Sequence, residues 1–252
     1  MKSTRYAGII LVLFCISVQG ADVILNEYNA VDKDLYLRDD GTDSRLERIQ
    51  GNGGDWFELV IVGETVDMRG WQLEVWDDGA IDETLTLSNN AFWATMRGGT
   101  ILTISEDHAD DISFTPSLTG GDWWINIQSA DGIGNAYITN PTKFKVSNKD
   151  WQLLIKDDLG NVVFGKAGEG IVPGVSINDE EIFKLEANPS AAIFPTSTLY
   201  NDGKSSTFGM PNIWSSGDEF QNFEAIRAWV PEPTALLLLG SGLMLVLRRR
   251  RN

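Results

Sequence analysis

Apolar and polar residues alternate one by one along much of the chain, and no long stretch carries a helical period. That property confines the fold to β-sheet. In Trp71-Gln72-Leu73-Glu74-Val75 the tryptophan, leucine and valine fall on one side, and Gln72 and Glu74 on the other. A period of two places successive side chains on opposite faces of a strand, one buried and one wet. The same reading applies to Val23–Tyr28, Trp56–Val62, Thr84–Leu87, Thr100–Ile104, Trp123–Ile127, Trp151–Ile155, Asn161–Phe164 and Ile182–Leu185. Between them Asp78-Gly79, Gly98-Gly99, Asp131-Gly132 and Gly160-Asn161 supply the positive φ angles of tight turns. Many short strands with regular turn signals predict an all-β sandwich or barrel.

Both ends depart from this pattern. Lys2 and Arg5 precede the apolar run Ala7–Phe14, and Ser17-Val18-Gln19-Gly20-Ala21 follows it. A basic start, a short apolar core and small residues make a secretory signal peptide, with cleavage between Gly20 and Ala21. The single cysteine, Cys15, lies inside that signal, so the exported chain has no disulfide, no thiolate metal site and no cysteine nucleophile. The segment 22–230 holds 14 basic and 35 acidic residues, a formal charge of −21. Such a surface repels phosphate backbones, and nucleic acid is not an expected partner.

At the other end, Val230-Pro231-Glu232-Pro233 leads into the fourteen-residue run Thr234–Leu247 and then Arg248, Arg249, Arg250 and Arg251. The prolines stop a preceding helix. The run reaches about 21 Å as a helix, short for a bilayer core of about 30 Å, though snorkelling arginines extend it. The arginines set the C-terminus inside and the bulk of the protein outside. This arrangement closely resembles the PEP-CTERM sorting signal of exported Gram-negative bacterial proteins. The resemblance implies an exosortase-type processing enzyme as partner, with Pro231, Glu232 and Pro233 for recognition and Arg248–Arg251 as the stop. It further implies a transient inner-membrane anchor, removal of the helix, and a final place at the cell surface or outside the cell. Producers of exopolysaccharide or biofilm are its expected hosts.

A second resemblance covers roughly residues 22–165. Leu25-Asn26-Glu27-Tyr28, Asp55-Trp56-Phe57-Glu58-Leu59 and Val66-Asp67-Met68-Arg69-Gly70-Trp71-Gln72-Leu73 look like successive strands of the lamin-tail domain. Arg97-Gly98-Gly99-Thr100 sits at its glycine-rich turn, Trp151–Phe164 at its closing hairpin, and Ser206–Asn212 resembles a frequent ending. The implied fold is an immunoglobulin-like β-sandwich used mostly for binding and structure. The chain departs from that pattern in the long loop Asp32–Gly54 and the enlarged segment 105–145.

The expected organisation is a signal peptide at 1–20, the sandwich at 21–215, a spacer at 216–230 and the sorting tail at 231–252. In the spacer, Phe220, Phe223, Ile226 and Trp229 form an apolar stripe at helical spacing that suits packing on the domain.

Catalytic signals are sparse. The only histidine, His108, lies in Ser105-Glu106-Asp107-His108-Ala109-Asp110-Asp111, which reads as a solvated acidic loop. There is no nucleophile elbow, phosphate loop, dinucleotide fingerprint or His-Glu-x-x-His. No spacing selects a carboxylate pair from the many acids. No residue is assigned a catalytic role, and no cofactor is expected. Asp39-Asp40-Gly41-Thr42-Asp43, Asp77-Asp78 and Asp157-Asp158 offer oxygen ligands of the kind a structural calcium ion takes. Aspartates also simply favour turns. In Trp123-Trp124 the two rings must point to opposite faces, one outward or under a loop, where it could stack on a sugar. The reading that follows is a non-enzymatic module in adhesion or matrix association. The alternatives are a polysaccharide-binding module and a secreted hydrolase of unrecognised type.

Overall fold

The computed structural model describes residues 20–130 and 136–228. The signal segment 1–19, the turn at Asp131-Gly132 and the sorting tail with Pro231–Pro233 and Arg248–Arg251 lie outside the described residues. Gly20 and Ala21, read as the cleavage site, open the described chain, and Ala21 packs against the core.

The strands are β1 (Val23–Asn29), β2 (Trp56–Ile61), β3 (Thr65–Val66), β4 (Gln72–Asp77), β5 (Ala80–Thr86) and β6 (Met96–Arg97). They continue with β7 (Ile101–Ser105), β8 (Trp124–Gln128), β9 (Gln152–Lys156), β10 (Val162–Gly168), β11 (Ile182–Leu185) and β12 (Tyr200–Gly203). One helical turn, α1 (Glu224–Arg227), follows. A six-stranded sheet runs β12-β11-β1-β2-β7-β8, a four-stranded sheet runs β10-β9-β4-β5, and β3 pairs with β6. The all-β expectation holds, and the strands sit within a few residues of where alternation places them.

Two local features explain the register. Asp78 and Gly79 both have positive φ, 47° and 78°, between the paired ends Asp77 and Ala80. That is the two-residue turn whose twist matches a hairpin. In the six-stranded sheet β7 and β8 run parallel. Parallel neighbours need a long crossover, and the enlarged segment after β7 provides it.

Aromatic rings join the sheets. Tyr28 of β1 lies 4.3 Å from Trp151, centroid to centroid, and 5.0 Å from Phe183, while Phe57 of β2 meets Phe144 at 5.2 Å and Trp151 at 5.9 Å. Alternation predicts half-buried strands, and β9 follows it, buried only at Leu153 and Ile155. β1 and β2 do not: every residue of both is buried. The reason is a second covering layer. Residues 41–54 and 205–221 cross the outer face of the six-stranded sheet, hydrogen-bond to its polar side chains and are joined to each other by Asn52 and Ser206.

Candidate functional site

Among the places where the described chain brings chemistry-bearing residues together, a buried layer and a groove stand out. The first is the layer beneath that cover. Glu27 and Glu58, on paired positions of β1 and β2, are both fully buried. Glu58 accepts from Asn26 Nδ2 at 2.7 Å and from the Gly209 amide at 2.8 Å. Glu27 accepts from the Thr207 amide at 3.0 Å and meets its hydroxyl. Asn212 ties the layer together, donating to the Asn26 and Leu185 carbonyls at 3.1 and 3.0 Å and accepting from Asn26 and Thr207. Gln221 closes it from below, donating to Asn26 Oδ1 at 2.8 Å. Lys184, opposite Glu27 on β11, donates to the Ser205 carbonyl at 2.9 Å and to that of Ile213.

Burial dominates the electrostatics of this layer. Loss of hydration pushes the Glu27 carboxyl up to about 7, against the opposing pull of Lys184. Glu58 is raised well above the usual carboxylate range, first by burial and then by Glu27 beside it. Burial depresses Lys184. Two neighbouring acids of this kind are the raw material of acid–base chemistry. Here the strip Ser206–Met210 covers them. Gly209, at φ 69°, approaches so closely that a Cβ there would lie 2.4 Å from the Trp124 ring. The site is sealed, and its bonds are internal.

The second place is a groove of about 520 Å³ beside α1, walled by Leu118, Trp123, Pro211, Phe220, Phe223 and Arg227. Arg227 lies over the Trp123 and Phe223 rings, at 4.6 and 4.7 Å to their centroids, and its Nε and Nη2 donate to the Gly99 carbonyl at 3.1 and 3.0 Å. Burial lowers the guanidinium to about 10. Gly99 has φ 86°, and a Cβ there would fall 2.3 Å from Arg227 Cγ, so this contact requires glycine. Of the apolar stripe read in 216–230, Phe223 and Ile226 are buried, Phe220 is 70% exposed, and Trp229 lies outside the described residues.

The other singled-out residues separate. Ser105 donates to Asn126 Oδ1 at 2.9 Å and reaches the backbone carbonyl of His108, not its ring. The His108 ring nitrogen Nε2 instead meets the Gly53 carbonyl at 2.9 Å. Asp43 is buried and accepts from the amides of Arg45, Leu46 and Phe208 and from the Ser206 hydroxyl. Asp157 accepts from the backbone of its own turn at Leu159 and Asn161. Asp77 bonds Lys145 and Ser147. Asp39 and Asp40 have positive φ, 51° and 57°, and reach Lys204 and Arg48. Among the described residues no three acids, histidines or cysteines are grouped to hold a metal ion. Of the tryptophan pair, Trp123 points into the groove wall and bonds the Ser117 carbonyl. Trp124 points outward, but under the cover, bonding Thr103 and meeting Phe208.

Sequence reading missed Glu27, Glu58 and Asn212. A usable signal was present. Trp56 and Val60 share the phase of Glu58, and apolar residues on both phases of a strand announce that both faces are covered.

Among the described residues no helix is long and apolar enough to cross a membrane. A comparison with curated proteins finds no match. A comparison with family models matches residues 230–251 to the PEP-CTERM protein-sorting motif, so the match begins two residues after the last described one. The motif implies export, processing by an exosortase and sorting to the surface.

Proposed function

We propose that this chain is a surface or extracellular-matrix protein whose β-sandwich is a non-catalytic binding or structural module. Its work on this reading is adhesion, or association with biofilm and exopolysaccharide. The observation that carries it is the junction. Arg227 is bonded onto the domain, and the sorting motif starts at residue 230, so the described chain is cargo joined directly to its address. The signal peptide starts export, the apolar run halts it with the arginines inside, and Pro231-Glu232-Pro233 is the signal a membrane enzyme recognises.

A sandwich of lamin-tail type is part of the proposal. Its support is that Leu25–Tyr28 and Phe57–Leu59 fall on the neighbouring strands β1 and β2, Gly70–Leu73 leads into β4, and Ser206–Asn212 closes over them. The absence of catalysis is supported by the sealing of Glu27 and Glu58 and by the separation of Ser105 from the His108 ring.

Mass spectrometry of the C-terminal peptide tests the sorting. Protein recovered from the native surface should lack Arg248–Arg251. Pro231→Ala with Pro233→Ala should accumulate uncut in the inner membrane. A surface form still ending at Asn252 makes the tail a plain anchor.

One observation favours polysaccharide as the ligand. A groove of about 460 Å³ is lined by Trp214, Glu186, Asn201 and the 172–175 loop. An aromatic ring beside a carboxylate and an amide suits a sugar, whose C–H face stacks while its hydroxyls bond. Retention on an exopolysaccharide column that survives Trp214→Ala would remove this reading.

A further inference from the structure

The groove beside Arg227 is the last part of the domain before the membrane segment. We propose that the face formed by residues 117–123 and 220–227 rests on the phospholipid surface while the tail is still in the bilayer. It thereby holds Pro231-Glu232-Pro233 at the water–lipid boundary. This rests on the sorting reading above and adds a partner for the groove.

Chain length makes the first half of the case. The Arg227 side chain bonds the Gly99 carbonyl and so ties the chain to the domain as far as residue 227. From Ala228 to Thr234, where the apolar run begins, six residue steps span at most about 20 Å. The run itself is too short for a full bilayer core, so its start is drawn to the boundary and not held above it. The face carrying Arg227 is therefore the one brought against lipid.

The composition of that face makes the second half. Phe220 is 70% exposed and Leu118 47% exposed, and both border the groove. Phenylalanine and leucine are side chains that settle at the headgroup–acyl boundary. Two of them are weak anchors for a free protein. For a tethered one, an effective concentration in about the millimolar range makes a weak surface contact persistent.

Charge decides which lipid. Arg227 is turned inward onto Gly99 and two rings, while Asp218, Glu219 and Glu224 lie along the same stretch of chain. The domain as a whole is strongly acidic, so the contact suits zwitterionic headgroups and is weakened by anionic ones.

The test uses the exported chain, residues 21–252, which has no cysteine of its own, reconstituted in phosphatidylethanolamine–phosphatidylcholine nanodiscs. An environment-sensitive dye is placed at Thr119→Cys, and at Leu159→Cys for comparison, with quencher groups on the lipid. Quenching at 119 should exceed that at 159 by at least about threefold, as expected for a face held at the interface by a short tether. Phe220→Asp should abolish the excess, and adding phosphatidylglycerol should reduce it. Equal quenching at both positions, in a chain shown to enter the disc, overturns the docking face and leaves the sorting reading intact. A chain that does not enter the disc overturns both. An excess that appears only when an exosortase is present makes the enzyme, and not lipid, the partner of this face, and the proposal fails.

Discussion

The outer faces of both sheets carry polar side chains, at Asn26, Glu27 and Glu58 on one, where a bulge in β1 breaks the alternation, and at Gln72, Gln152 and Lys156 on the other. On the four-stranded sheet those three residues remain partly exposed, with Lys156 paired to Glu74. On the six-stranded sheet the polar side chains are completely buried and bonded to 206–212 and Gln221. A polar face that meets water needs no partners. One that is covered must satisfy every donor and acceptor internally, because each buried orphan costs about 1–3 kcal/mol. Polar residues on a strand therefore do not mean a wet strand. Here they specify how one long loop closes over the sheet.

The sharpest way to break the difference is at its hub. Asn212→Ala strips partners from Asn26, Thr207 and the Leu185 carbonyl in a layer with no water contact, and should cost about 3 kcal/mol or more in denaturant unfolding. Gln152→Ala, on the open face, should change stability by less than about 1 kcal/mol. Equal losses would mean that the two faces are energetically alike.

A smaller effect is expected from the lid's closest approach. Gly209→Ala combines a strained φ of 69° with a collision against Trp124. It should cost about 1–3 kcal/mol, read as a lower melting temperature, and should leave β-rich circular dichroism in place.

The pH response separates the faces by charge. An unfolded glutamate releases its proton near 4.5, whereas Glu27 in the fold does so at about 7. Between these values the folded chain binds more protons than the unfolded one, so stability falls as pH rises through that window. Glu58, and Asp55 raised to about 6 by burial, act in the same direction. The melting temperature should therefore be higher near pH 5 than near pH 8. Glu27→Gln should flatten the slope, because the amide still accepts from the Thr207 amide and donates to its hydroxyl. An unchanged slope would remove Glu27 as its source.

The smallest expected effect is that of calcium. The aspartates of the turns are engaged with their own backbone or with lysines. Millimolar calcium should leave the melting temperature unchanged, and a concentration-dependent rise would reveal a native-state site.

Strand positions were legible because β4 and β9 alternate strictly and Asp78-Gly79 marks a hairpin by its backbone needs alone. Burial on both faces of β1 and β2 was written less openly, in the apolar neighbours Trp56 and Val60 on the phase of Glu58. The pairing of Glu27 with Glu58, and their cover by Thr207 and Gly209, could not be read. Those partners are separated by 151 residues in the case of Gly209 and Glu58, and no local pattern encodes such a distance. Ser105 and His108 show the converse. Near in sequence, they are joined only through the His108 backbone carbonyl, because β7 ends at Ser105 and the chain turns away.

Linear order and composition are enough to read a domain built of strands, an acidic charge, and a sorting motif at residues 230–251. Each of these depends on local order or on composition, which any linear reading captures. Which polar residues are buried, that the Trp124 ring lies under the covering loop while Phe220 stands exposed beside Arg227, and that the described aspartates form no metal cluster all follow from the folded arrangement. Those outcomes depend on which distant segments meet, and that is set by how the two sheets and their covering loop share one limited volume.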